Sequence, residues 1–324
     1  MDEIFVATPL RNGSVTKEFY FSNGVTIQPI EPILWDRSVA RKFMSDDERN
    51  QLSRTAYWVA VSKQVGDYRI DRADEDLYEN ARRAMYALQI IHPVGGRNVY
   101  LKFLKLSEGF DNLGSQHPNR MWNTLIGRLA VLEQQGLQED FEKIFPGVGR
   151  AFDEKIVRLQ NPILLLEHGL QVNHVYLSTL IWVMGLDMLF MAGEKTPFVD
   201  RTVGFLGANT LIFPPVSYPR RQPQSVIRDV VEDVYELRNI VAHGREIPRR
   251  FRERRDLLDE NGSRINIDDY SYAAVLWESA LFLLVRALRR IMLGDMIDTV
   301  RDEARWKQQL RTSARIEQRH RSKR

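Results

Sequence analysis

The segment Val175–Ala192, VYLSTLIWVMGLDMLFMA, constrains this chain more than any other. It is apolar on nearly every face, so as a helix it must be surrounded by protein rather than laid against one surface. Its length is at the lower limit for crossing a bilayer, but Asp187 interrupts it and basic flanks are missing. The expectation is a helix inside a bundle, with no membrane partner. A carboxylate in such a helix is costly to bury alone, so Asp187 needs a cation or hydrogen-bond donors.

Neighbouring segments supply the other helices of that bundle. Asn161–Pro162 reads as an N-cap and first-turn pair ahead of ILLLEHGL, and a shorter helix is expected over Pro197–Leu206. SVIRDVVEDVYELRNIVAHG is the cleanest amphipathic pattern in the chain. Ser225 is placed to cap it, Ile227, Val230, Val231, Val234, Leu237 and Val241 form its apolar stripe, and Gly244 supplies a left-handed stop. The turn DENGS precedes a last long helix, DDYSYAAVLWESALFLLVRALRRIML, ending at Gly294. Between helices stands NTLIFPPVSYPRRQPQS, too proline-rich for a simple connector. The fold class expected is mainly α: a helical bundle over residues 156–296, preceded by an α+β region over 1–155.

That first region reads as mixed. FVATPL, KEFYFS and VTIQPI are short strands separated by turn residues. From Asp36, DRSVARKFMSDDERNQLSRTAYWVAVSKQ has apolar residues at helical spacing, and DEDLYENARRAMYALQIIH is a second amphipathic helix. GRNVYLKFLKL alternates as a strand, and helices are expected over 119–135 and 138–160. No catalytic pattern occurs here, which leaves room for a regulatory ligand or partner.

Charge is unevenly spread. The chain of 324 residues has a net charge of +3, but residues 301–324 hold nine Lys/Arg against Asp302, Glu303 and Glu317. The folded body is therefore slightly acidic, and residues 297–324 form a basic tail whose last part, RTSARIEQRHRSKR, is expected to stay mobile. Arginines outnumber lysines, 36 to 10, a bias that suits both phosphate contact and ion-paired helices.

Elimination narrows the chemistry. There are no cysteines, which excludes thiolate metal sites, iron–sulfur clusters and cysteine nucleophiles, and fits a cytoplasmic location. No phosphate-binding glycine loop, HExxH pair or GxSxG elbow is present, and no cofactor is implied. His168 and His174 lie six residues apart around Gly169, a spacing better suited to capping than to metal binding.

What remains is Arg238-Asn239-Ile240-Val241-Ala242-His243-Gly244. An arginine separated from a following histidine by four to six residues is weak by itself, and Arg315…His320 repeats it in the basic tail. Context separates the two. Arg238…His243 has the polar Asn239 after the arginine, ends a strongly amphipathic helix and is closed by Gly244. This phrase, VYELRNIVAHG, together with the upstream apolar helix STLIWVMGLDMLFMAG, resembles the Apea-like HEPN domain family over roughly residues 160–295. The resemblance implies a dimeric, metal-independent endoribonuclease with Arg238, His243 and Asn239 at the catalytic centre and Asp187 as a supporting carboxylate. Aspartate stands here where glutamate is more usual. Toxins and antiviral defence effectors are the implied roles.

The residue types suit that chemistry. Histidine exchanges protons near neutrality, and arginine presents a permanently charged planar fork to two phosphate oxygens. On an ideal helix Asn239 and His243 share a face, whereas Arg238 lies about 140° round from His243, so one helix pairs them poorly. A second copy of the helix across a homodimer axis improves convergence. Arg245, Arg249 and Arg250, following directly, are candidate RNA contacts. Rival readings are a non-catalytic helical dimerisation or nucleotide-binding module and, less favoured, a basic-tailed nucleic-acid-binding regulator.

Overall fold

The computed structural model describes residues 3–9, 13–14, 18–29, 58–64, 70–91, 100–106, 109–116, 130–131, 134–172, 174–207, 228–252, 257–258, 264–265 and 272–321. The protein is mainly helical with a small N-terminal antiparallel sheet. It divides into two compact units, Met1–Val148 and Gly149–Arg324.

In the first unit, β1 (Glu3–Pro9), β2 (Gly13–Ser14), β3 (Phe19–Tyr20), β4 (Val25–Gln28), β5 (Trp58–Gln64), β6 (Tyr100–Leu106), β7 (Gly109–Gln116) and β8 (Ala130–Val131) are strands. Six of them form one sheet in the order β3-β4-β5-β1-β6-β7, every neighbouring pair antiparallel. Helix α1 (Ile70–Ile91) packs against β5 and β1, burying Leu77, Ala81, Ala84, Met85 and Leu88 along one stripe. The three N-terminal strands, the strand at GRNVYLKFLKL and the helix at DEDLYENARRAMYALQIIH are therefore as expected.

Strand β5 corrects the helical reading of TAYWVAVSKQ. It lies between β4 and β1, where Val61 pairs with both Val6 and Val25, and Val59 with Thr8 and Ile27. A central strand reads as a continuous apolar run, and such a run mimics a buried helix. The rest of that expected helix, residues 36–57, lies outside the described residues.

Helix α2 (Gln134–Asp153) and helix α3 (Val157–Gln171) replace the expected helix over 138–160, and strand β8 occupies part of the one expected over 119–135. The break falls at Lys155, whose φ of 53° is left-handed. Pro162 is therefore interior to α3 rather than at its first turn. Leu159 and Ile163 are fully buried on either side of it, so packing carries the helix back past the local start signal.

The other helices are α4 (Val175–Phe190), α5 (Lys195–Leu206), α6 (Arg228–Ala242), the single turn α7 (Arg249–Arg252), α8 (Tyr272–Leu293), α9 (Ile297–Arg301) and α10 (Glu303–Arg321); β9 (Leu257–Leu258) and β10 (Arg264–Ile265) form a small ladder. Helix α4 is central, packed against α3, α6 and α8. Close approach there depends on small residues. A Cβ on Gly169 would stand 2.1 Å from the Trp182 indole, whose Nε1 donates to the Leu166 carbonyl at 3.2 Å.

Most of the basic terminal segment is helical, as far as Arg321. Helix α10 docks on α5, burying Trp306 and Leu310, and Trp306 Nε1 donates to the Leu189 carbonyl at 2.7 Å. Two apolar residues one turn apart anchor a helix that composition describes only as charged. Among the described residues no single helix is long and apolar enough to cross a membrane. Ser225, Ile227, the DENGS turn and the proline-rich segment lie outside the described residues.

Candidate functional site at the end of helix α6

Helix α6 forms because its apolar residues recur at helical spacing: Val230, Val231, Val234, Leu237 and Ile240 are buried, while Val241 is only half-buried. It stops through two backbone bonds. The Arg245 N–H donates to Ile240 O at 3.0 Å and the Gly244 N–H to Val241 O at 3.1 Å, with Gly244 at φ 61°. This is a Schellman closure, and it makes His243 the C-cap. The helix end is ordered, and the His243 ring is exposed there.

Arg238 is half-buried and held from two sides. Its Nη2 is 3.3 Å from Asp187 Oδ2, and its Nη1 donates to Asn239 Oδ1 at 2.7 Å. Asp187 is 14% exposed, and its other oxygen, Oδ1, accepts the Gly193 N–H at 2.8 Å. The lone carboxylate of the apolar helix is thus satisfied by a cation and a backbone donor. Asn239 shares its helix face with His243, so its bond to Arg238 draws the guanidinium toward the histidine side.

Two residues that sequence reasoning passed over complete the arrangement. The Arg238 guanidinium lies over the Tyr235 ring, 5.2 Å from its centroid. The Tyr235 hydroxyl donates to the Gly193 carbonyl at 3.2 Å. Asp187, Gly193, Tyr235 and Arg238 therefore form a closed circuit of contacts joining the end of α4 to the last turns of α6. Gly193 takes a φ of 70°, which a residue with a Cβ adopts only with strain. Burial first, and then the Asp187 carboxylate, pushes the Tyr235 phenol above its usual range, with the Arg238 charge opposing. The available signal was the i, i+3 spacing of Tyr235 and Arg238.

The downstream arginines are not equivalent. Arg250 is ion-paired with Glu236 and lies 4.0 Å from Asp233, so its charge is already matched. Arg249 and Arg245 are exposed, and Arg252 pairs with Glu246 at 2.7 Å. The structure brings together Asp187, Arg238 and Asn239, sets His243 at the end of the same helix, and leaves Arg245 and Arg249 on the surface beyond it. His174 caps α4, its Nδ1 accepting from the Leu177 N–H at 3.4 Å. Compared with known proteins, the chain matches no family model, no curated protein and no solved structure.

Proposed function

We propose that this protein is an endoribonuclease of HEPN type that cleaves RNA through attack of the 2′-hydroxyl on the adjacent phosphorus. The observation that carries the proposal is the Asp187–Arg238–Asn239 cluster, one helical turn from an exposed C-cap histidine. An arginine serving only as a bundle cross-link needs the carboxylate alone; here the guanidinium is also fixed by Asn239 and by the Tyr235 ring.

In the reaction, the bond from the 2′-oxygen to phosphorus forms and the bond from phosphorus to the 5′-oxygen breaks. The products are a cyclic phosphate and a free 5′-hydroxyl. One proton leaves the 2′-hydroxyl and one is delivered to the departing oxygen. His243 supplies the imidazole, the general acid–base group of the proposal. A helix C-terminus attracts positive charge, which suits His243 to the delivering role. Arg238 stabilises charge on the crowded phosphorus, and Asp187 keeps its fork in place. The steep offset between Arg238 and His243 around α6 favours a site completed by a second copy of the chain. Arg245 and Arg249, exposed beyond the end of α6, are the candidates for holding the RNA past the site, with Arg250 less suited because of Glu236.

A toxin or antiviral defence effector acting in the cytoplasm fits such an activity, with the first unit as sensor or restraint. A second reading, a non-catalytic dimerisation module, is favoured by the exposed Leu177, Met184 and Met188 on α4. One experiment separates them: purified wild-type and His243→Ala proteins assayed on RNA with and without EDTA. Cleavage that persists in EDTA and disappears in the variant supports the enzyme. Equal cleavage in both, or none in the wild type, removes it.

A further inference from the structure

We infer that the outer face of α10 is a track for the RNA phosphate backbone, on which Arg311 and Arg315 lead a single strand toward the α6 site. The identity of the polymer rests on the endoribonuclease reading; the surface itself rests on the following observations.

Helix α10 has a fixed orientation. Trp306 and Leu310 are buried, and a Cβ on Gly204 would come within 2.7 Å of the Ser313 backbone, so α5 and α10 touch with no room to rotate. The opposite face is therefore presented outward. Its basic residues divide sharply along the helix. At the start, Arg305 pairs with Asp302 at 3.3 Å and Lys307 with Glu303 at 2.5 Å. Arg301, just before it, pairs with Glu154 at 2.9 Å. After Lys307 the sequence has no acid until Glu317. Arg311 and Arg315 are exposed, stand one turn apart, and have no hydrogen bond or ion pair with any described residue.

The surroundings do not neutralise them. Arg201 on α5 lies close enough to Arg311 for their like charges to oppose each other. Its guanidinium is already committed to the Phe190 and Met191 carbonyls at 2.8 and 2.6 Å. Asp200, the acid facing α10 from α5, is ion-paired with Arg228 and accepts from Gln318 at 3.1 Å. A solvated charged face of a helix ordinarily mixes signs; between Lys307 and Glu317 this one carries positive charge only.

Direction completes the argument. Gly204 lies against Ser313 and Ala314, and Asp200 against Gln318, so α10 runs antiparallel to α5. Its C-terminal turns thus progress toward the N-terminal end of α5. Gly193, two residues ahead of that end, bonds Asp187 and Tyr235, and Lys195 lies 3.8 and 3.7 Å from Glu232 and Glu236 of α6. A strand following Arg311 and Arg315 is carried to the Arg238 end of the bundle.

The test is a salt titration of binding. A fluorescein-labelled oligouridylate is titrated into full-length His243→Ala protein, so that the probe stays intact, and affinity is followed by anisotropy across a series of salt concentrations. Each phosphate contact on a single strand contributes a slope of about −0.7 in log affinity against log salt. Arg311→Gln with Arg315→Gln in the same background should make that slope shallower by about 1.4 and weaken binding. Arg311→Lys with Arg315→Lys should keep it, and Arg305→Gln with Lys307→Gln, whose charges are already matched, should leave it near the parent value. An unchanged slope in the first variant overturns the track, as does an equal loss in the Arg305/Lys307 pair or absence of RNA binding altogether. Binding to phosphatidylserine vesicles that depends on Arg311 and Arg315, with an unchanged RNA slope, reassigns the surface and overturns it too. Failure of the nuclease reading looks different: RNA is held with the expected slope, but the wild type does not cut it.

Discussion

Asp187 decides more at this site than its size suggests. One carboxylate accepts the Gly193 N–H at 2.8 Å and holds Arg238 at 3.3 Å, so it ends one helix and positions the cation of another. Asp187→Ala should destabilise the fold by about 1–3 kcal/mol, since it strips partners from a half-buried guanidinium and a backbone donor. Urea denaturation measures this, and RNA cleavage should fall further than stability alone explains. Asp187→Asn, which retains an acceptor for Gly193, should recover most of the stability but not the cleavage. Tyr235 gives a prediction in pH. Its phenol has an ordinary value of 10.0 and is raised in the fold, first by burial and then by Asp187. The folded state holds the proton more tightly, so the stability Tyr235 contributes is complete below about pH 10 and is lost as pH climbs through the raised value. Tyr235→Phe should therefore show a shallower decline in stability above about pH 10 than the wild type, read by urea denaturation across that range. At this scale the sequence was informative about charge out of place. Asp187 stood out as an acid in an apolar run, and Arg238, Asn239 and His243 by spacing. Tyr235 and Gly193 did not, because a tyrosine on a buried stripe and a glycine after a helix both have ordinary explanations.

Elements were legible wherever one face of a helix meets the core and the other meets water. Helix α6 and the first half of α1 have that character, and apolar spacing located them; α8, continuously buried from Ser279 to Val285, was legible from its long apolar run instead. Three failures share one physical cause, which is packing that overrides a local signal. Strand β5 is buried between β4 and β1 and loses its alternation. Helix α3 runs through Pro162 because Leu159 must reach the core. Helix α10 is held by two buried residues, Trp306 and Leu310, in a segment otherwise polar. The α5–α10 contact can be tested at Gly204, where a Cβ would meet the Ser313 carbonyl carbon and oxygen at 2.7 Å. Backbone cannot yield as a side-chain tip does, so Gly204→Ala should cost about 1–3 kcal/mol through overpacking. Hydrogen exchange should locate the damage: amides of α10 exchange faster, while those in the middle of α8 keep their protection. Uniform loss of protection would mean that α10 docking is not a separable part of the bundle.

At the scale of the whole molecule, the question is whether one chain makes one site. Helix α4 is surrounded by α3, α6 and α8, yet Leu177, Met184 and Met188 are 45%, 40% and 39% exposed on its remaining face. That face is on the helix that carries Asp187, and covering it with a second copy would bring two clusters into one assembly. Met184→Glu with Met188→Glu should then give a monomer by sedimentation velocity. The decisive measurement mixes inactive chains. Arg238 and His243 sit about 140° apart around α6, and the observed guanidinium is turned onto Asp187 and Asn239 of its own chain. If a site takes arginine from one chain and histidine from its partner, Arg238→Ala and His243→Ala proteins are each inactive. Their heterodimer nevertheless keeps one undamaged site, so partial cleavage returns on mixing. If each chain uses its own pair, every site in the mixture is broken and none returns. Subunit exchange is established first with differently tagged chains. Exchange without recovery excludes the shared site while leaving a nuclease that works within each chain. Recovery assigns Arg238 and His243 to opposite sides of one phosphate.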